Sequence, residues 1–166
     1  MRKQITSLFH NSSRRLFLAG LVGLVFGAIG QSAFAADSTI GAKEAFAKAK
    51  SGEIILVDIR TPQEWADTGI GQGAIGLDMT VESFVDSLLD LRKNYPEKPI
   101  ALICRTGNRS GYVLSHPVFQ NFPDLVDVTE GMAGGRNGKG WIPRGLPVYA
   151  GSKTNVEKFL KAIITK

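Results

Sequence analysis

Three short apolar runs limit what this chain can fold into more than any other feature. Residues 54–58 read Ile-Ile-Leu-Val-Asp, 99–103 read Pro-Ile-Ala-Leu-Ile, and 125–128 read Leu-Val-Asp-Val. Each is expected as a short buried strand. Helical patterns lie between and around them. Ala45, Phe46 and Ala49 share one side of a helix expected over 40–50, stopped by Ser51-Gly52, after a loose lead-in at 36–39. Thr61, Pro62 and Glu64 read as cap, first helical position and capping-box acid of a short helix that ends by Thr68-Gly69. Residues 75–79 suggest another short strand. Thr80 then caps a helix carrying Val81, Phe84, Val85, Leu88, Leu89 and Leu91. A further helix opens at Ser110 and runs to about Ser115, with Pro117 ending it. Val156, Phe159, Leu160, Ile163 and Ile164 mark a C-terminal amphipathic helix within 151–166. Helices alternating with buried strands imply an α/β domain with a mostly parallel sheet.

The first 35 residues belong to a different category. Arg2, Lys3, Arg14 and Arg15 form a basic start without acids, and 16–30 is an apolar run rich in Gly and Ala. Ala33-Phe34-Ala35 fits an A-x-A cleavage site, so an export signal cut after Ala35 is expected. The apolar run falls short of the roughly 20 residues that cross a bilayer. The alternative is an uncleaved anchor facing the same compartment, the chain's one expected tie to a membrane. Ser13-Arg14-Arg15-Leu16-Phe17-Leu18 resembles a twin-arginine signal, although Ala19 departs from it and an ordinary secretory start remains the other reading. Either route places the protein in the periplasm. The expected organisation is a signal at 1–35, a lead-in and helix at 36–49, the main domain at 50–150 and the last helix at 151–166.

Charge then reads differently. The chain holds 20 basic and 15 acidic residues, and without the signal's four basic ones the balance is 16 to 15. No basic block with interleaved aromatics remains, so nothing argues for nucleic acid. The 131 residues at 36–166 can bury a core without disulfides. They could form none, because Cys104 is the only cysteine. A lone thiol in an oxidising compartment is either buried and inert or kept for its reactivity.

Its surroundings favour reactivity. Cys104 follows the apolar run at 99–103 and precedes Arg105-Thr106-Gly107-Asn108-Arg109-Ser110. In open parallel sheets, ligand sites lie beyond the carboxyl ends of strands, where Asp58 and Cys104 both sit. Gly107 permits a sharp turn into the next helix. Amides converging in such a loop, the helix N-terminus and the two arginines all favour thiolate over thiol. An inert core cysteine gains nothing from two arginines and a glycine within five residues.

Cys104-Arg105-Thr106-Gly107-Asn108-Arg109-Ser110 resembles the active-site loop of rhodanese-type sulfurtransferases. The likeness extends to residues 56–65, whose Asp58, Arg60, Glu64 and Trp65 resemble the family's opening motif. It continues through Ile70 with Gly73-Ala74, and through Gly134-Gly135, Trp141 and 145–148. Motifs in order cover roughly residues 50–150. The resemblance implies a mostly parallel sheet with helices on both faces, and Cys104 as a persulfide carrier. The thiolate would take the outer sulfur of a donor such as thiosulfate and pass it to a nucleophile such as cyanide or a thiol. Arg105, Thr106, Gly107, Asn108 and Arg109 would cradle the anionic donor and the persulfide, with Asp58, Arg60 and Ser110 in support. No metal or cofactor is called for. An exported protein is a further expected partner, as acceptor or as the ligand of a non-enzymatic module.

Asp58 and Arg60 also read as a pair locking neighbouring loops. Glu64 is explained by its capping box, and Trp65 and Trp141 read as packing residues. His116 reads as a helix-end residue. The chain departs from the family pattern at 69–74, where a histidine and a proline are missing, and at 136–140, which intervene before Trp141. The glycine-rich loop at 131–140, with Arg136 and Lys139, either attracts anions or is only a solvated loop. Related phosphatase and arsenate-reductase loops place arginine six positions after the cysteine. Here Arg109 is fifth, which leaves less room for a tetrahedral oxyanion.

Overall fold

The computed structural model describes residues 39–164. The export signal expected at residues 1–35 and the lead-in at 36–38 lie outside them. A five-stranded sheet forms the centre. It is built from β1 (Thr39–Ile40), β2 (Ile55–Asp58), β4 (Ala74–Gly76), β5 (Ile100–Ile103) and β6 (Leu125–Val128). Their order is β1-β6-β5-β2-β4 and every pairing is parallel. Parallel neighbours need a crossover each, and helices supply them: α1 (Ala42–Ser51), α2 (Pro62–Thr68), α3 (Phe84–Asn94) and α4 (Asn108–Ser115). The C-terminal helix α5 spans Lys153–Ile164. A separate antiparallel ribbon joins β3 (Ile70–Gly71) to β7 (Val148–Tyr149).

The strands are apolar on both faces because both are covered. Leu56, Ala101, Ile103, Val126 and Val128 point to one side, where they meet Ala42 and Ala45 of α1, Trp65 of α2 and Trp141. Ile55, Val57, Ile100, Leu102, Cys104 and Leu125 point to the other. There they meet Phe84, Leu88 and Leu91 of α3, Val113 of α4 and the half-buried Phe159, Leu160 and Ile163 of α5. Strand periodicity of two therefore divides one apolar run between two cores.

Several boundaries differ from the sequence reading. Residue 39 belongs to a strand, and the first helix starts at Ala42, because Ile40 is taken into the sheet beside Val128. Thr80 does not cap α3. Its amide and hydroxyl both donate to Asp78 Oδ1, at 2.9 and 2.7 Å, so the chain turns before the helix begins at Phe84. Val81 consequently stays outside the core, 47% exposed. The strand expected at 75–79 is shorter and earlier, at Ala74–Gly76. The helix after the cysteine starts at Asn108, two residues before Ser110.

Candidate active site

The strand ends place the chemistry. Asp58 pairs with Ile103 across β2 and β5, so Cys104, one residue on, emerges beside the end of β2. The chain turns back at once. Gly107 adopts φ +85°, and a Cβ there would collide with the Thr129 carbonyl. Gly131, at φ +65°, stands in the same relation to Arg105, whose carbonyl oxygen would lie 2.6 Å from an added Cβ. The loops after β5 and β6 are thus pressed together backbone to backbone. Two hydrogen bonds fasten them: the Met132 amide donates to Cys104 O and the Ala133 amide to Arg105 O, both at 2.8 Å.

Cys104 is fully buried beneath this loop. The Ser110 hydroxyl donates toward Sγ at 3.5 Å and toward Gly107 O at 3.2 Å. The helix α4 begins at Asn108, so the amides of residues 108–110 have no carbonyl partner within it and carry its positive end. Thr106 is half-buried, and Arg105 and Asn108 are exposed. A cavity of about 190 Å³ adjoins the loop, lined by Arg105, Met132 and Ala133 on one side and by Arg60, Glu64 and Thr68 on the other.

The two loop arginines have different fates. Arg109 makes a two-pronged ion pair with Glu64, at 2.8 and 2.6 Å. These hydrogen bonds, helped by the Thr61 amide and opposed by partial burial, hold the Glu64 carboxyl at a pKa of about 2. Arg105 forms no ion pair among the described residues. It is therefore the loop's uncommitted cation. Glu64 also completes the capping box expected for it, accepting from the Thr61 amide while Thr61 Oγ1 accepts from its own. Its second role, holding Arg109 from 45 positions away, left no local signal in the sequence.

Asp58 and Arg60 pair at the end of β2. Both are buried, at 0% and 2% exposure, with Arg60 Nη2 2.7 Å from Asp58 Oδ2. The same guanidinium donates to Thr68 Oγ1 at 2.7 Å and Gly69 O at 2.6 Å, tying the end of β2 to the end of α2. Burial pushes the Asp58 carboxyl's pKa up, and the hydrogen bonds and charge of Arg60 oppose that rise. Glu130 is a supporting residue that sequence reasoning missed. Its carboxylate accepts from Arg144 at 2.7 and 2.9 Å and from the Gly140 amide at 2.9 Å, closing the glycine-rich loop on itself. Arg136 and Lys139 are exposed on that loop. Trp65 and Trp141 are buried packing residues, and His116 ends α4, its ring against Tyr112 and Phe119.

Comparison with known proteins agrees with the fold. The chain is similar to an uncharacterized protein of Rickettsia prowazekii, 28% identical over 98 residues that cover 55% of this chain and 80% of that one. An uncharacterized protein of Rickettsia conorii matches to the same extent. In solved structures, the fold is similar to that of Rv0390 from M. tuberculosis, with TM-score 0.53 at 21% identity, covering 68% of this chain and 96% of that chain. The family described as Rhodanese-like domain matches residues 41–137. That span runs from the start of α1 through the cysteine loop to the glycine-rich loop, and the chain belongs to the rhodanese-like domain family.

Proposed function

We propose that the domain is a sulfurtransferase that carries sulfane sulfur as a persulfide on Cys104. The observation that supports this most is the placing of one buried sulfur at a strand end, under a six-residue loop that closes on a helix N-terminus. In the first step the Cys104 thiolate attacks the outer sulfur of thiosulfate. The donor's S–S bond breaks and sulfite leaves with its electron pair. In the second, a thiol or cyanide attacks the outer sulfur of Cys–S–S⁻, and the Cys104 thiolate is the leaving group. Neither step needs a general base once the thiolate exists. Unpaired amides and the Ser110 hydroxyl are suited to anionic sulfur, because fixed donors aimed at a developing charge cost no reorganisation.

Arg105 is the residue suited to anchor the donor's sulfonate at the cavity mouth. Arg109 stands five residues after Cys104 and is held by Glu64 on both prongs, which speaks against a phosphatase, whose loop needs a free guanidinium around a tetrahedral oxyanion. On the export reading of residues 1–35, the acceptor would be a periplasmic thiol or an exported protein. The test is steady-state transfer of sulfur from thiosulfate to cyanide. Parent protein should turn over and Cys104→Ser should not; equal rates in the two would end the proposal.

A further inference from the structure

Four charged side chains line the cavity beside the cysteine loop: Arg60, Glu64, Asp67 and Arg105. Two of them are spent. Arg60 is paired with Asp58, and Glu64 with Arg109. Asp67 and Arg105 are not, since neither forms an ion pair among the described residues. Asp67 Oδ1 accepts from Gln63 Nε2 at 2.7 Å, a neutral partner that leaves the carboxylate's charge uncompensated. Asp67 lies three residues after Glu64, on the same side of α2. Arg105 belongs to the cysteine loop, one residue after the sulfur. Both are exposed, so a ligand can reach them. Met132, Ala133 and Ile142 supply apolar lining.

Thiosulfate uses only one of these two charges. An anionic donor is drawn by Arg105 and repelled by Asp67, so the first step gains nothing from the carboxylate. The second step differs. There an acceptor sulfur carrying negative charge must approach Cys–S–S⁻, which is also negative. An ammonium on the acceptor offsets that repulsion, and Asp67 is the open carboxylate in the cavity that can receive it. At about 190 Å³ the cavity is smaller than the ~300–1,000 Å³ of sites that enclose a drug-sized ligand, which suits a small acceptor.

We propose that the sulfur acceptor is a small thiol that also carries an ammonium and a carboxylate, with Asp67 selecting the ammonium and Arg105 holding the carboxylate. Arg105 is free for this, because sulfite has left with the donor's sulfonate before the acceptor enters. The acceptor's S–H proton goes to solvent, and its sulfur bonds to the outer sulfur of Cys–S–S⁻. The bond from that sulfur to Cys104 Sγ breaks, and Sγ keeps the electron pair. The acceptor leaves as a persulfide anion, and no outside oxidant or reductant takes part. Specificity here is a difference between acceptors: a thiol without the ammonium gains nothing from Asp67. The inference deepens the sulfurtransferase reading and rests on it.

The test loads parent, Asp67→Asn and Arg105→Ala proteins from thiosulfate, removes the donor, and discharges them with cysteine, cysteamine, 3-mercaptopropionate or 2-mercaptoethanol. The parent-to-variant rate ratio for each thiol cancels that thiol's own reactivity. Asp67→Asn should slow cysteine and cysteamine about threefold, the size of one exposed ion pair, and leave the other two no slower. Its loading by thiosulfate should be no slower either, which a merely structural defect would not spare. Arg105→Ala should slow cysteine and 3-mercaptopropionate and spare cysteamine. One ratio common to all the thiols, or cysteamine indifferent to Asp67→Asn, would overturn the proposal. A second measurement needs no sulfur transfer. Alkylation of unloaded Cys104 by cationic 2-bromoethylamine, relative to neutral iodoacetamide, should fall about threefold in Asp67→Asn, and an unchanged ratio would overturn the selection of ammonium. A parent that never loads sulfur, with that ratio shifted, would defeat the sulfurtransferase reading while Asp67's preference for ammonium stands.

Discussion

Replacing Glu64 by glutamine removes one charge and little else. Glutamine still serves the capping box at this position, so the start of α2 is kept. The loss falls on the two-pronged pair with Arg109, at 2.6 and 2.8 Å, which joins α2 to the first turn of α4 across the site. Moving a carboxyl from 4.5 to about 2 is worth about 3 kcal/mol at face value. The side chains are 31% and 23% exposed, and solvent screening reduces the figure to about 1–2 kcal/mol. Urea unfolding at pH 7, followed by the fluorescence of the two buried tryptophans, should show that loss as a lower midpoint with unchanged slope. The sign with pH is fixed. The folded value lies below the unfolded one, so the stabilisation is complete above about 4.5 and drains as pH falls toward about 2. Parent and variant should therefore converge on acidification, with under about half of the gap left at pH 3. A gap of the same size at pH 3 and pH 7, or no gap at pH 7, would refute the ion pair as its source.

Two further outcomes follow from the loop geometry. Gly107→Ala forces a Cβ into the Thr129 carbonyl at a positive φ, and should cost about 3 kcal/mol or more, read as a lowered thermal midpoint. Arg105→Ala removes an exposed cation without an ion pair, so stability should hold while KM for thiosulfate rises about tenfold, the loss of one charge-assisted contact; an unchanged KM would take Arg105 out of donor binding.

Much of the fold could be read from the chain because its central strands are continuous apolar runs. The runs at 54–58, 99–103 and 125–128 needed no tertiary information, since a strand covered on both faces is apolar throughout. The capping box at Thr61 was equally local. Two-residue strands were not legible: Thr39–Ile40 and the ribbon of Ile70–Gly71 with Val148–Tyr149 are too short to show a period. The start of α3 was misplaced because Thr80 spends its hydroxyl on Asp78, an exchange that spacing cannot reveal. The cysteine loop was visible as a sequence. Which of its arginines is committed was not, because Glu64 lies 45 residues away.

Intact mass spectrometry tests the central claim most directly. Protein lacking residues 1–35, treated with thiosulfate and freed of donor, should gain about 32 Da, one sulfur atom. Cyanide should then return it to the starting mass, and Cys104→Ser should show no gain. An unchanged parent mass after donor treatment, or the same gain in Cys104→Ser, would contradict a persulfide on Cys104.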